Sequence, residues 1–278
     1  MPRILTNHAA FGSKRQISDR SISNLRSLLY VMDKRPLTLT ILNTPVHCVS
    51  KADVLVLVRH WLNNGNHLHQ IATTNPEFVM LAQRDLDFRH ILQQADLCIP
   101  DGVGLLYAAH WLGTPLIERV PGSELVHDLA ALAAAEGKRL FLLGAAPGVA
   151  EEAAAIFQSR YPTLEIAGTF AGSPSHAEND AIVARINASQ ADLLFVAYGA
   201  PNQDKWIARN RDKLPTVRVA IGVGGSLDFV TGRAIRAPRW VQNLGLEWFH
   251  RLIKEPWRWR RMLALPHFAV RVLLGRLA

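Results

Sequence analysis

Apolar positions along this chain fall into two alternating kinds of run. Short, nearly unbroken runs rich in Val, Ile, Leu and Phe read as buried strands. Longer stretches with polar residues at helical spacing read as helices. The strands predicted are Leu37–Leu42, Val46–Val49, His67–Thr73, a run up to Ile99, Arg139–Leu143, Leu164–Thr169, Asp192–Ala197 and Val217–Ile221. A turn is expected at Asn43-Thr44-Pro45. Ser50 and Asp53 have the spacing of a capping box ahead of a helix to Leu62. Further helices are expected over Glu77 to about Gln94, broken near Asp85, and over Val103–Trp111, Glu124–Glu136, Val149–Arg160 and Ala177–Ala188. Gly122-Ser123 is expected to cap the third of these, and Pro201 to open one more at its first position. From Leu140 to Gly225 strands and helices alternate without interruption. That pattern predicts an α/β fold, a mostly parallel sheet with helices on both faces.

The residues just past each strand carry the candidate chemistry. Thr73-Thr74-Asn75 stands after one strand and Asp101-Gly102 after another. Gly144 to Gly148, Tyr198-Gly199 and Gly222 to Ser226 stand after three more. In an open parallel sheet these exits share one edge, where ligands bind. Glycines there expose backbone N–H groups to phosphate oxygens. A nucleotide or sugar-nucleotide cleft is the expectation, although tight strand-to-helix turns need glycine anyway. Neither Gly144-Ala-Ala-Pro-Gly148 nor Gly222-Val-Gly224-Gly225-Ser-Leu completes the dinucleotide fingerprint, and no phosphate-binding lysine motif is present. Asp101 is the first candidate for a catalytic group; the bland alternative is an N-cap for the helix after it. Asn202 and Gln203 offer amides to a sugar or base. Arg119 either clamps a diphosphate or pairs with Glu118. The histidines form no metal pattern: His67 and His69 alternate on a strand with no carboxylate at ligand spacing.

The formal net charge of +8 adds an anionic partner to this picture. The positive charge is concentrated at both ends. Residues 1–35 form a basic leader, expected to be flexible. From Arg236 on come four of the seven tryptophans, and nine basic residues stand against Glu247 and Glu255. Tryptophan alternating with arginine suits a membrane–water interface, and equally single-stranded nucleic acid. No signal peptide is visible, and no apolar run is long enough to span a bilayer. Cys48 and Cys98 read as buried thiols in a reducing compartment.

Several blocks together resemble the WecG/TagA/CpsF glycosyltransferases, glycosyltransferase family 26. They are Thr73-Thr74-Asn75-Pro76-Glu77-Phe78-Val79-Met80, Ala95-Asp96-Leu97 with Pro100-Asp101-Gly102-Val103-Gly104, and Gly122-Ser123. Tyr198-Gly199-Ala200-Pro201-Asn202-Gln203-Asp204-Lys205-Trp206, Gly222 to Phe229 and Arg236-Ala237-Pro238-Arg239-Trp240 continue the order, followed by Gly245 to Trp248, Arg251 and Glu255-Pro256. The resemblance implies an inverting transferase that moves a sugar, of N-acetylmannosamine type or another hexose or uronic acid, from a UDP donor. The acceptor would be a sugar on a polyprenyl diphosphate, in cell-surface polysaccharide synthesis such as that of teichoic acid. It implies Asp101 as general base, and Thr73, Asn75, Arg119 and Gln203 as substrate contacts. Arg251, Arg258 and Arg261 would close over the donor and reach the membrane. Tyr198, Gly144 and Gly224 complete the expected substrate-binding set. Pro121 stands where Thr is common before Gly-Ser, and Asn202 and Asp204 stand where Lys and Glu are frequent; these would tune the donor pocket.

The combined expectation is a Rossmann-like domain over residues 36–235, with a basic leader at 1–35 and a C-terminal helical basic-aromatic appendage at 236–278. No cofactor and no metal are expected: Asp85-Leu86-Asp87 has metal-binding spacing, but ion pairing with Arg84 and Arg89 accounts for it better. The expected partners are the UDP-sugar, the lipid-linked acceptor, the membrane surface and, as an open option, a second copy of the chain, without nucleic acid. The expected place is the cytoplasmic, inner face of the cell membrane, held peripherally. The alternative is a non-catalytic nucleotide- or nucleic-acid-binding protein that uses the basic tail.

Overall fold

The structure, a computed structural model, describes residues 36–238, 241, 247–254, 256 and 259–275, the side chains of Arg251 and Arg260 excepted. The expected leader at residues 1–35 and Arg258 lie outside the described residues. Two short strands, β1 (Thr38–Ile41) and β2 (Thr44–His47), form an antiparallel hairpin. Its turn is Leu42-Asn43, both at positive φ, one step earlier than the expected Asn43-Thr44-Pro45. Pro45 sits in the ladder opposite Thr40, in a two-stranded ribbon that leaves room for a residue without an N–H. Helix α1 (Lys51–Asn64) starts at the expected capping box: Ser50 Oγ accepts the Asp53 N–H, and Asp53 Oδ2 accepts the Ser50 N–H.

The main sheet has six strands, all parallel: β3 (His69–Thr74), β4 (Leu97–Pro100), β5 (Arg139–Gly144), β6 (Glu165–Phe170), β7 (Leu193–Ala197) and β8 (Val219–Gly222). Their order is β4-β3-β8-β7-β5-β6. The unbroken apolar runs of β5 and β7 follow from burial on both faces. Phe141, Leu143, Leu194 and Val196 point to one layer, where they meet α7 (Asn179–Ser189) and α8 (Asn202–Asn210). The alternate residues point the other way. There Phe195 meets Phe157 of α6 (Val149–Arg160) edge-on. Helix α5 (Gly122–Ala135) lies on that same side.

The expected long helix after β3 is two helices, α2 (Pro76–Ala82) and α3 (Leu86–Gln94). Asp85 causes the break: its Oδ1 accepts the Phe88 N–H at 3.0 Å, capping α3. Its ionic partner is Lys205, at 2.7 Å, rather than the neighbouring arginines. Pro201 occupies the N-cap position of α8, and Pro121 that of α5, so neither Pro201 nor Gly122-Ser123 has the expected helix register.

Helix α4 (Val103–Trp111) follows β4, and α9 (Ser226–Val230) follows β8. The C-terminal segment forms α10 (Glu247–Lys254), α11 (Trp259–Met262) and α12 (Ala264–Gly275). Phe268 and Val272 of α12 are buried in one cluster with Ile41, Val79, Leu105 and Ala108. Arg261 reaches Glu77 of α2 at 2.7 Å. Among the described residues no helix is long and apolar enough to cross a membrane.

At the amino edge of the sheet, Asp96 ties three elements together. Its oxygens accept the Gln70 N–H at 2.8 Å, meet His69 Nδ1 at 3.1 Å and pair with the Arg211 guanidinium. Burial pushes this carboxyl up, but the bonds from His69 and Gln70 and the Arg211 charge outweigh it and hold it below the ordinary range. The fold thus supplies beside His67 and His69 the carboxylate that sequence spacing did not. A guanidinium already holds that carboxylate, and the group lies at the start of β3 and β4, away from the strand exits. Replacing Asp96 with Ala strands a buried backbone N–H and a guanidinium. We expect it to cost on the order of 2–4 kcal/mol in urea unfolding.

Candidate active site

Parallel strands leave the sheet on one side, and here five of the six exits meet in a cleft of about 580 Å³. Thr73 and Asn75 come from β3, Asp101 from β4, Ala145 and Ala146 from β5, Tyr198 and Gln203 from β7, and Gly224 and Asp228 from β8. Hydrogen bonds between the exits fix their spacing. Thr73 Oγ1 donates to the Gly222 carbonyl at 3.1 Å. Gln203 Oε1 accepts the Gly224 N–H at 2.9 Å. Asn75 caps α2, its Oδ1 accepting the Phe78 N–H at 3.0 Å. Three of the expected substrate contacts therefore also hold the loops that carry the others.

Gly144 does not line the cleft. Its φ of +94° and the 2.9 Å that would separate an added Cβ from the Ala197 carbonyl carbon explain the glycine. It lets β5 and β7 approach, and its neighbours Ala145 and Ala146 face the cleft. Asn202 is exposed outside the cleft, and Asp204 is buried beneath it with burial pushing its carboxyl up to about 7. Of the three departures from the family pattern, Pro121 alone lines the cleft. Tyr198 stands in the cleft edge-on to Trp206, and burial pushes its phenol up.

Asp101 is not the cap of its own helix. Gly102 takes that position with φ +137°, a conformation that side chains rarely adopt. The Asp101 backbone N–H donates to the Thr74 carbonyl at 2.7 Å, which extends the β3–β4 pairing by one bond. Its Oδ2 then accepts the N–H of Gly122, the first residue of α5, at 3.1 Å. Gly122 is tightly placed: an added Cβ would stand 3.0 Å from Thr73 Cγ2 and 3.3 Å from the carboxylate. Burial raises the Asp101 carboxyl to about 6. The Gly122 bond and Arg119 pull it down, Glu247 pushes it up, and Arg236 pulls it down again.

Arg119 pairs with Glu247 of α10, not with its neighbour Glu118, which accepts the Lys51 N–H instead. Arg236 holds the other Glu247 oxygen at 3.2 Å and Glu124 at 2.9 Å. An Arg–Glu–Arg chain thus runs along the cleft wall. Spacing could not reveal it, because Arg119 and Glu247 lie 128 residues apart. Arg236, Asp228 and Glu247 also line the cleft; they stand inside the family blocks without being expected as site residues, and His250 lines it with no such signal. Arg261 lines the cleft from α11. The side chains of Arg251 and Arg258 are outside the described residues.

The segments that build this cleft span nearly the whole described chain, and so does a match to a family model. The description is "Glycosyl transferase WecG/TagA/CpsF family", over residues 39–278. The chain belongs to this family. A Bacillus subtilis (strain 168) N-acetylglucosaminyldiphosphoundecaprenol N-acetyl-beta-D-mannosaminyltransferase is 38% identical over 204 residues, 73% of this chain and 78% of the relative. A Staphylococcus aureus (strain MRSA252) protein of the same description is 33% identical over the same shares. This member of the family is a glycosyltransferase, and the non-catalytic alternative is set aside.

The raised carboxyl has a cost for this glycosyltransferase that can be measured. Folding lifts Asp101 from 3.8 to about 6, so the folded chain binds this proton more tightly than the unfolded chain. The resulting stability is complete below the unfolded value and is lost as pH rises through about 6. We expect Asp101→Asn to melt above the wild type at pH 8, and the gap to shrink steadily toward pH 4 in a series of thermal melts.

Proposed function

We propose that this glycosyltransferase moves a sugar of N-acetylmannosamine type from UDP to an N-acetylglucosamine carried on a polyprenyl diphosphate, with inversion and with Asp101 as base. The acceptor and the sugar follow the names of the relatives, and the UDP donor follows the family resemblance. The observation that carries the reading is the Asp101 carboxyl. It stands at a strand exit, in the cleft, with its proton affinity raised to about 6. Such a group is ionised at neutral pH yet basic enough to take a proton in the transition state. In a single displacement the acceptor hydroxyl oxygen attacks the anomeric carbon, the bond to the UDP oxygen breaks, and Asp101 receives the hydroxyl proton.

The leaving diphosphate gathers negative charge, which needs donors already in place. Glu247 marks an anion position between Arg119 and Arg236. We read this position as the donor diphosphate's, taken by a carboxylate in the free protein. The glycine loop at Gly224 and Gly225 lines the same cleft and lets a ligand come close to the backbone. Thr73, Asn75, Tyr198 and Gln203 shape the sugar pocket, and Arg251, Arg258 and Arg261 belong to the part that closes over it. A lipid-linked acceptor places the work at a membrane surface, and the basic, tryptophan-rich C-terminal segment suits that surface.

A donor screen against a lipid-diphosphate N-acetylglucosamine acceptor, read by mass, tests the substrate pair; transfer only from non-UDP donors overturns it. Asp101→Asn is expected to lower kcat by about 10²–10⁴-fold with little change in donor KM. In the wild type, kcat/KM should climb with pH and level off above about 6. Near-normal turnover by Asp101→Asn removes Asp101 as the base.

A further inference from the structure

A second cavity, of about 880 Å³, opens beside the cleft, between α4 and the C-terminal helices α10, α11 and α12. Among the described residues no charged side chain lines it. Its walls leave large apolar groups in water: Tyr107 is 68% exposed, Trp259 53% and Leu263 57%. Exposed apolar surface of this kind marks a binding site more often than it marks nothing. The volume is in the range of roughly 300–1,000 Å³ common for small-molecule sites.

The two cavities adjoin. Pro76, Val103, Gly104, Trp248, Met262 and Leu265 line both. Arg261, next in sequence to Met262, stands on the cleft side of the junction. A molecule lying through both would meet a polar catalytic pocket, then a cation, then a hydrocarbon trough. That is the order of parts in a sugar joined through a diphosphate to an isoprenoid chain. We propose that this groove takes the first isoprene units of the acceptor's polyprenyl chain, an inference that rests on the acceptor class proposed above.

The groove then does more than touch a membrane. A surface that only rests on a bilayer gains by presenting convex apolar side chains, whereas a concave trough encloses one chain and drains it of water. Helix α4 begins two residues after Asp101, so the same helix that walls the groove starts at the catalytic strand exit. Tail binding would in this way fix the acceptor sugar's distance from the carboxylate, with the diphosphate near Arg261.

The test uses the full chain without vesicles. Inorganic diphosphate, geranyl diphosphate and geranylgeranyl diphosphate, each below its micelle concentration, are titrated while tryptophan fluorescence is read. Affinity should rise on the order of tenfold or more from inorganic to geranylgeranyl diphosphate. Tyr107→Glu and Leu273→Glu, both at exposed positions on the groove, should each remove most of that gain while the Tm and the binding of inorganic diphosphate stay as in the wild type. Affinity that does not depend on chain length overturns the proposal, as does a gain that survives both variants. A gain seen only when vesicles are added identifies a bilayer-docking face instead. Loss of self-association in the variants, read by light scattering without any loss of isoprenoid binding, identifies an interface between copies. Chain-length-dependent binding without sugar transfer from any UDP donor would keep the groove and sink the transfer reaction.

Discussion

Parallel pairing is the constraint on which this molecule depends. When every strand of a sheet runs the same way, every exit lies on one edge and every return passes through a helix. The exits after β3, β4, β5, β7 and β8 therefore have nowhere to go but around one cleft. Residues that are far apart in sequence become neighbours without any of them needing local signals for each other. The short hydrogen bonds between exits, from Thr73 to Gly222 and from Gly224 to Gln203, convert that proximity into fixed spacing. Gly222 is essential to this packing, since an added Cβ would fall 2.4 Å from the Gln203 amide nitrogen.

The same architecture sets the character of Asp101. A carboxylate at a strand exit is walled by the neighbouring strand and by the helices that return to the sheet. Burial raises the cost of its charge, while the Gly122 N–H at the start of α5 and the two arginines lower it. Burial wins, and the carboxyl settles near 6 rather than in the usual carboxylate range. The group costs the fold stability at neutral pH, and strongly shifted carboxyls of this kind gather at functional positions.

The C-terminal helices are bound to the body by two unlike interactions. Phe268 and Val272 bury apolar surface against α2, α4 and the hairpin, which is insensitive to salt and to anions. Glu247 is held by Arg119 and Arg236, and Arg261 holds Glu77, which are exchangeable contacts at the cleft. The charged contacts thus lie on α10 and α11 beside the cleft, and the buried apolar contact lies on α12.

Much of this was written in the chain itself. The doubly buried runs of β5 and β7, the capping box at Ser50, the break at Asp85 and the five polar or glycine-rich exits are local patterns, because propensity, capping and burial on both faces act over a few residues. The family blocks fixed the enzyme class for the same reason, since they are contiguous strings. Tertiary structure alone decided what those strings touch. It turned Asp101 from a cap of its own helix toward Gly122, gave Arg119 to Glu247 instead of Glu118, and gave Asp85 to Lys205. It also set Asp96 beside two histidines and opened an apolar trough along α4. These are pairings between groups up to 128 residues apart. A chain's local energetics select the elements, but only their packing selects which charges and which bare faces meet.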